Sequence, residues 1–128
     1  MFDVAATLER GFNEDNLFME RRIWKSVISG YGCRTFYQVE DLGPIVAKFR
    51  GEVPLVFITP RGRYELSEFE HPEDCIYLFG ANHANMDDYI QERDLSVRID
   101  TPRNQTEMFG AGCVGIVLRH RDEHRPQN

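Results

Sequence analysis

Cysteine is scarce in this chain: the 128 residues include three, Cys33, Cys75 and Cys113. They are far apart and form no C-x-x-C pair, and an odd number does not close a disulfide framework. We read all three as reduced and structural, because a thiol in a buried element acts as a small hydrophobe. Positive charge is also short. Lys and Arg number 15 against 21 Asp and Glu, for a net charge of -6. A chain that binds nucleic acid tightly on its own usually shows a basic balance or a basic face, so this balance argues against that role. Long apolar runs are missing, and no stretch reaches the roughly 20 residues of a membrane-crossing helix. The first residues, Met1-Phe2-Asp3-Val4-Ala5-Ala6, lack the basic start and apolar run of a signal peptide, so a cytoplasmic location is expected. Repeats, low-complexity tracts and linkers are absent. His120 and His124 stand four apart, but no third ligand accompanies them, and no metal site is expected.

What is present suits one α/β domain. Hydrophobic residues make up 41% and aromatic residues 12% of the chain, enough for a single core. Residues 1–121 read as the domain and residues 122–128 as a frayed tail. Phe2 to Leu8 is a first, weak strand. A helix follows from a cap at Asn13 or Asp15, with Leu17, Ile23, Trp24, Val27, Ile28 and Tyr31 at helical spacing. Gly30-Tyr31-Gly32 ends it. Cys33 to Val39 reads as a second strand, and Leu42 to Phe49 as a short helix. Pro54-Leu55-Val56-Phe57-Ile58 and Cys75-Ile76-Tyr77-Leu78-Phe79 are continuously apolar, the mark of parallel strands covered on both faces. Between them, Glu65 to Asp74 reads as a polar connection, with His71-Pro72-Glu73-Asp74 as a turn. A helix from Met86 to about Arg93 leads to a strand at Val97-Arg98-Ile99. A last helix runs from Thr106 to about His120. Strands alternating with helices imply a mainly parallel sheet.

Three of these strands end in loops of glycine, proline and small polar residues: Thr59-Pro60-Arg61-Gly62, Gly80-Ala81-Asn82-His83, and Asp100-Thr101-Pro102-Arg103-Asn104-Gln105. In open α/β sheets ligands bind beyond the carboxyl ends of the strands. The three loops are therefore expected to meet in a small-molecule pocket. The last helix carries Gly110, Gly112 and Gly115, each costing about 1 kcal/mol of helix stability relative to alanine. Such glycines point to close approach of the helix to the sheet, to a partner chain or to a ligand. Basic residues gather locally at Arg21, Arg22 and Lys25, at Arg61 and Arg63, and at Arg119, Arg121 and Arg125.

The loops and the last helix, over about residues 54–119, resemble the SPOUT superfamily of S-adenosylmethionine-dependent methyltransferases, in its SpoU-type RNA 2'-O-ribose branch. The family's T-x-x-G loop is matched by Thr59-Pro60-Arg61-Gly62. Its G-x-E-x-x-G loop is matched at Gly80, while Asn82 stands for the glutamate and Asn85 for the last glycine. Its S-x-N-x-S start of the final helix is matched by Thr106, with Met108 and Gly110 at the other two positions. Its N-x-G-x-x-x-R motif is matched by Asn16 and Arg22, with Phe18 in place of the glycine; Arg21 can take the same role.

The resemblance implies an α/β fold with a C-terminal trefoil knot, a topology otherwise nearly absent from proteins. It implies a cofactor, S-adenosylmethionine, held largely by main-chain groups around Ile58, Thr59, Gly80, Ile99 and Thr106. Such contacts tolerate side-chain change. Arg22, Asn16 and Asn82 are the implied catalytic positions. Arginine there would position a phosphate or stabilise a developing alkoxide. His83, in the second loop, titrates near neutrality and is a further candidate base. The resemblance also implies RNA as substrate and a homodimer, whose interface would use the C-terminal helix and part of the helix from Asn16 to Ile28. The altered polar positions leave a second reading open: a catalytically degenerate member that serves as a cofactor- or RNA-binding module.

Overall fold

The structure, a computed structural model, describes residues 1–7, 22, 24–80, 86–100 and 110–124, with backbone only for 110–112. The elements in chain order are β1 (Phe2–Thr7), the helical residues 24–28 here called α1, β2 (Phe36–Val39), α2 (Gly43–Phe49), β3 (Leu55–Ile58), β4 (Tyr64–Glu65), β5 (Cys75–Phe79), β6 (Leu95–Arg98) and α3 (Gly110–Glu123). Short 3-10 turns occupy Ser29–Tyr31, Leu66–Glu68 and Met86–Tyr89. The strands form one six-stranded sheet in the order β2-β1-β5-β3-β6-β4, and every described pairing is parallel. The carboxyl ends of all six strands therefore lie along one edge.

Alternation along the strands builds two cores. Val4, Ala6, Val56, Ile58, Cys75, Tyr77, Phe79 and Val97 face one side, where Trp24 and Ile28 of α1 and Val114, Val117 and Leu118 of α3 cover them. Ala5, Leu55, Phe57, Ile76 and Leu78 face the other, under Leu42, Ile45, Val46 and Phe49 and under Met86. With both faces covered, β3 and β5 are buried at every position. This is why they read as unbroken apolar runs.

Helix α3 buries Val114, Val117, Leu118 and Arg121, a stripe at positions i, i+3, i+4 and i+7. Full burial of each aliphatic side chain contributes about 1.5–3 kcal/mol. Gly115 sits where α3 meets α1: a Cβ there would lie 3.4 Å from Val27 Cγ1. Close packing against a neighbouring helix of the same chain thus accounts for this glycine. Gly32 ends the Ser29–Tyr31 turn in the left-handed region, at φ 79°, where glycine carries no steric penalty.

Three readings of the sequence change. The expected helix from Met86 to Arg93 is a 3-10 turn over Met86–Tyr89. The polar connection read from Glu65 to Asp74 starts at the end of β4 and contains the Leu66–Glu68 turn. The last helix continues through Glu123, beyond the expected end near His120 and into the segment read as a tail. The segment expected to thread a knot includes residues 101–109, which lie outside the described residues.

Candidate functional site

The parallel register sets the geometry of the carboxyl edge. Ile58 is paired with Phe79 on one side and with Val97 on the other. The next residues in register are Thr59, Gly80 and Arg98, so the expected loops leave the sheet side by side. Ile58 and Thr59 are buried, and Gly80 and Ile99 are half-buried. Ile99 packs against the core on the α1 and α3 side. The structure thus brings together Ile58, Thr59, Gly80 and Ile99. Asn16, Asn82, His83 and Thr106 lie outside the described residues. Arg22 is helical and exposed, in the segment that leads into α1.

The Thr59-Pro60-Arg61-Gly62 loop is anchored at both ends. Thr59 N–H donates to the Val97 carbonyl at 3.0 Å, and Gly62 N–H donates to the Thr59 carbonyl at 3.0 Å. Gly62 is pressed onto β6: a Cβ there would fall 2.3 Å from the Val97 carbonyl carbon. No side chain fits that spacing, so the last residue of the loop must be glycine. Arg63 N–H donates to Ser96 Oγ at 2.9 Å, and Arg98 Nη1 donates to the Gly62 carbonyl at 3.0 Å.

A carboxylate that sequence reasoning missed joins this loop. Asp87, in the turn after β5, accepts a hydrogen bond from Thr59 Oγ1 at 3.0 Å through Oδ1. Its Oδ2 is paired with the Arg61 guanidinium through both Nε and Nη2. Nothing in the linear sequence marks Asp87, since its partners lie 28 and 26 residues upstream.

A second cluster sits at the opposite, amino-end edge. Arg121 of α3 is buried, and Nη1 donates to the Pro72 carbonyl at 2.6 Å and to Tyr77 Oη at 3.0 Å. Its Nη2 donates to the Glu73 carbonyl at 2.7 Å. Arginine only donates. Tyr77 therefore accepts from Arg121, and its hydroxyl is also hydrogen-bonded to His71 Nδ1, 2.7 Å away. His71 Nε2 is in turn hydrogen-bonded to His120 Nδ1 at 2.7 Å. His124 stacks on His120 with ring centroids 4.0 Å apart. Burial, with the nearby charge of His120, Arg121 and His124, lowers the His71 pKa to about 3. Burial also raises the Tyr77 phenol and lowers His120. These groups form a chain of rings tied to one arginine, suited to holding α3 in place. Among the described residues no group of His, Cys, Asp or Glu could hold a metal ion.

The thiols are chemically quiet. Burial pushes Cys75 and Cys113 up to about 11, and Cys33 is raised as well. All three are thiols rather than disulfides, as the sequence reading expected. No helix among the described residues is long and apolar enough to cross a membrane.

Comparison with protein-family models finds no match, and comparison with curated proteins finds none either. Solved structures do match. One is a probable methylase family protein from Haemophilus influenzae Rd KW20, with a TM-score of 0.63 and 9% identity, over 99% of this chain and 70% of that one. At that identity the likeness establishes a shared fold: an α/β domain with a six-stranded parallel sheet flanked by helices.

Proposed function

We propose that the chain is an S-adenosylmethionine-dependent methyltransferase of the SPOUT type, acting on RNA in the SpoU manner, with a knotted C-terminal segment. The observation that carries this reading is the meeting of Thr59, Gly80 and Ile99 on the carboxyl edge of a parallel sheet. The fold shared with a protein described as a probable methylase supports it. The residues present fit the cofactor in donor and acceptor chemistry. Ile58, Thr59, Gly80 and Ile99 bring main-chain groups to one edge, with a threonine hydroxyl and a carboxylate beside them. An adenosine group is recognised by contacts of that kind. Thr106 would complete the set. When bound, the cofactor would supply an electrophilic methyl group.

The chain's own part is to align the acceptor hydroxyl and stabilise the charge that develops on it. Arg22 is the residue proposed for that charge, with Asn16 and Asn82 beside it. In the resembled family this arginine works next to the partner subunit's cofactor. A homodimer formed through α3 and the helix that includes Arg22 is therefore part of the proposal. Ile116 of α3 is exposed and would supply apolar area to such an interface. A cytoplasmic location belongs to the same proposal.

A second reading rests on one observation: Asn82 stands where the family has glutamate. Asparagine hydrogen-bonds but does not act as a carboxylate. A degenerate member would keep the pocket and bind cofactor or RNA without turnover. Calorimetry with S-adenosylmethionine and S-adenosylhomocysteine tests both readings. Micromolar binding is expected, and absence of binding at millimolar concentration would overturn the first reading and the cofactor-binding form of the second. Binding without methyl transfer to any RNA would favour the second. Sedimentation as a monomer at tens of micromolar, where a dimer of micromolar affinity would be evident, would refute the assembly.

A further inference from the structure

The exposed tip of the Thr59-Pro60-Arg61-Gly62 loop lacks support from the sheet beneath it. One end is fixed by the main-chain hydrogen bond from Thr59 to the Val97 carbonyl and the other by the contact of Gly62 with β6. Pro60 and Arg61, between them, are exposed. Among the described residues, what reaches the tip is Asp87. Its two carboxylate oxygens take the Thr59 hydroxyl and the Arg61 guanidinium separately. Arg61 N–H also lies 3.4 Å from Thr59 Oγ1, so the hydroxyl oxygen bridges the carboxylate and the loop backbone. Asp87 follows β5, whereas the loop follows β3. The contact ties together two of the three segments that converge on the candidate site.

We propose that Asp87 is a positioning residue for the ligand site. It clamps the 59–62 loop in the shape that presents its main chain along the carboxyl edge. The clamp needs a carboxylate. An amide in its place keeps the size and can still accept from Thr59, but it loses the charge and one acceptor toward Arg61. This inference rests on the reading of the carboxyl edge as a cofactor site, and its test separates the two.

The experiment compares wild type with Asp87→Asn, Asp87→Glu and Thr59→Val by three measurements. Limited trypsin digestion reads cleavage after Arg61. Calorimetry reads S-adenosylhomocysteine affinity, and thermal melting reads global stability. Asp87→Asn is expected to speed cleavage after Arg61 and to weaken binding, each by about five-fold, the scale of one exposed charged contact. Its melting temperature is expected to fall by less than about 3 °C. Thr59→Val should repeat the pattern more weakly, and Asp87→Glu should recover part of the binding. A merely structural role would lower the melting temperature without a separate change in affinity. If wild type binds no ligand, the cofactor reading fails, while faster cleavage in Asp87→Asn still supports the clamp. Unchanged cleavage in Asp87→Asn overturns the clamp whatever wild type binds. Faster cleavage with undiminished affinity overturns its role in ligand positioning.

Discussion

Acid should loosen this fold through His71. The folded ring titrates near 3, whereas an unfolded imidazole titrates near 6.5. Because the folded value is the lower one, the unfolded chain takes up the proton first. The stabilisation is therefore fully present above pH 6.5. It declines as pH falls below that value and is gone below about pH 3. At pH 5 the loss relative to pH 8 is about 2 kcal/mol for His71 alone. The ring is only half-buried, and solvent screening reduces this to about 1 kcal/mol. His120, lowered first by burial and then by His124, adds in the same direction, although Glu123 opposes it. The neighbours reinforce the effect on His71. Arg121 faces the ring with a positive charge, which opposes an added proton on the imidazole. Urea unfolding at pH 8, 6.5 and 5 would measure the loss, with His71→Gln as the reference that lacks the titration. The wild-type profile should fall more steeply between pH 6.5 and 5 than that of the variant. Proton NMR of the His71 ring should show no titration down to about pH 4. A His71 ring titrating near 6.5, or parallel stability profiles for the two proteins, would refute the reasoning.

Four further outcomes follow from the same contacts. Tyr77→Phe removes the oxygen that accepts from Arg121 and is hydrogen-bonded to His71; urea unfolding should show a loss of about 2 kcal/mol, and a loss below about 0.5 kcal/mol would contradict the network. Gly62→Ala forces a Cβ to within 2.3 Å of the β6 backbone; a destabilisation of about 3 kcal/mol is expected, and a variant as stable as wild type would refute the close approach. Gly115→Ala places its methyl 3.4 Å from Val27 and should stabilise α3 by up to about 1 kcal/mol, whereas Gly115→Leu should destabilise by overpacking α1; a melting temperature raised by leucine would contradict this. Cys75 and Cys113, with thiols near 11, should react slowly with a disulfide reagent at pH 8 in the folded protein and fast in urea; rapid reaction of both in the native state would refute the burial argument.

How much of this was legible in the sequence depended on where each residue's partners lie. β3 and β5 announce themselves because two helical layers cover both their faces, which demands apolar residues at every position. β4 is a two-residue strand paired, among the described residues, with β6 alone, and it has too few buried positions to show a pattern. The segment after Met86 resembles a helix in composition, yet its carboxylates are committed elsewhere. Asp87 holds Thr59 and Arg61, and Asp94 accepts from Arg50 and from the Gln91 amide. Those tertiary bonds outweigh local helix propensity. The last helix outruns its expected end because Arg121 is anchored to the Pro72 and Glu73 carbonyls and Arg119 pairs with Glu123.

The candidate site divides in the same way. Thr59, Gly80 and Ile99 could be placed from strand order alone, since parallel strands deliver their carboxyl ends to one edge whatever the loops contain. Asp87 could not. It is one of 21 acidic residues, and only the turn after β5 distinguishes it from the others. His71 reads as part of a turn because its partner on α3 lies 49 residues downstream. Main-chain positions follow from strand topology, which the sequence pattern carries. Side-chain partnerships follow from packing between elements, which it does not. A substitution of Asp87 would therefore pass as neutral in any reading of the sequence, while the geometry expects it to alter the ligand edge.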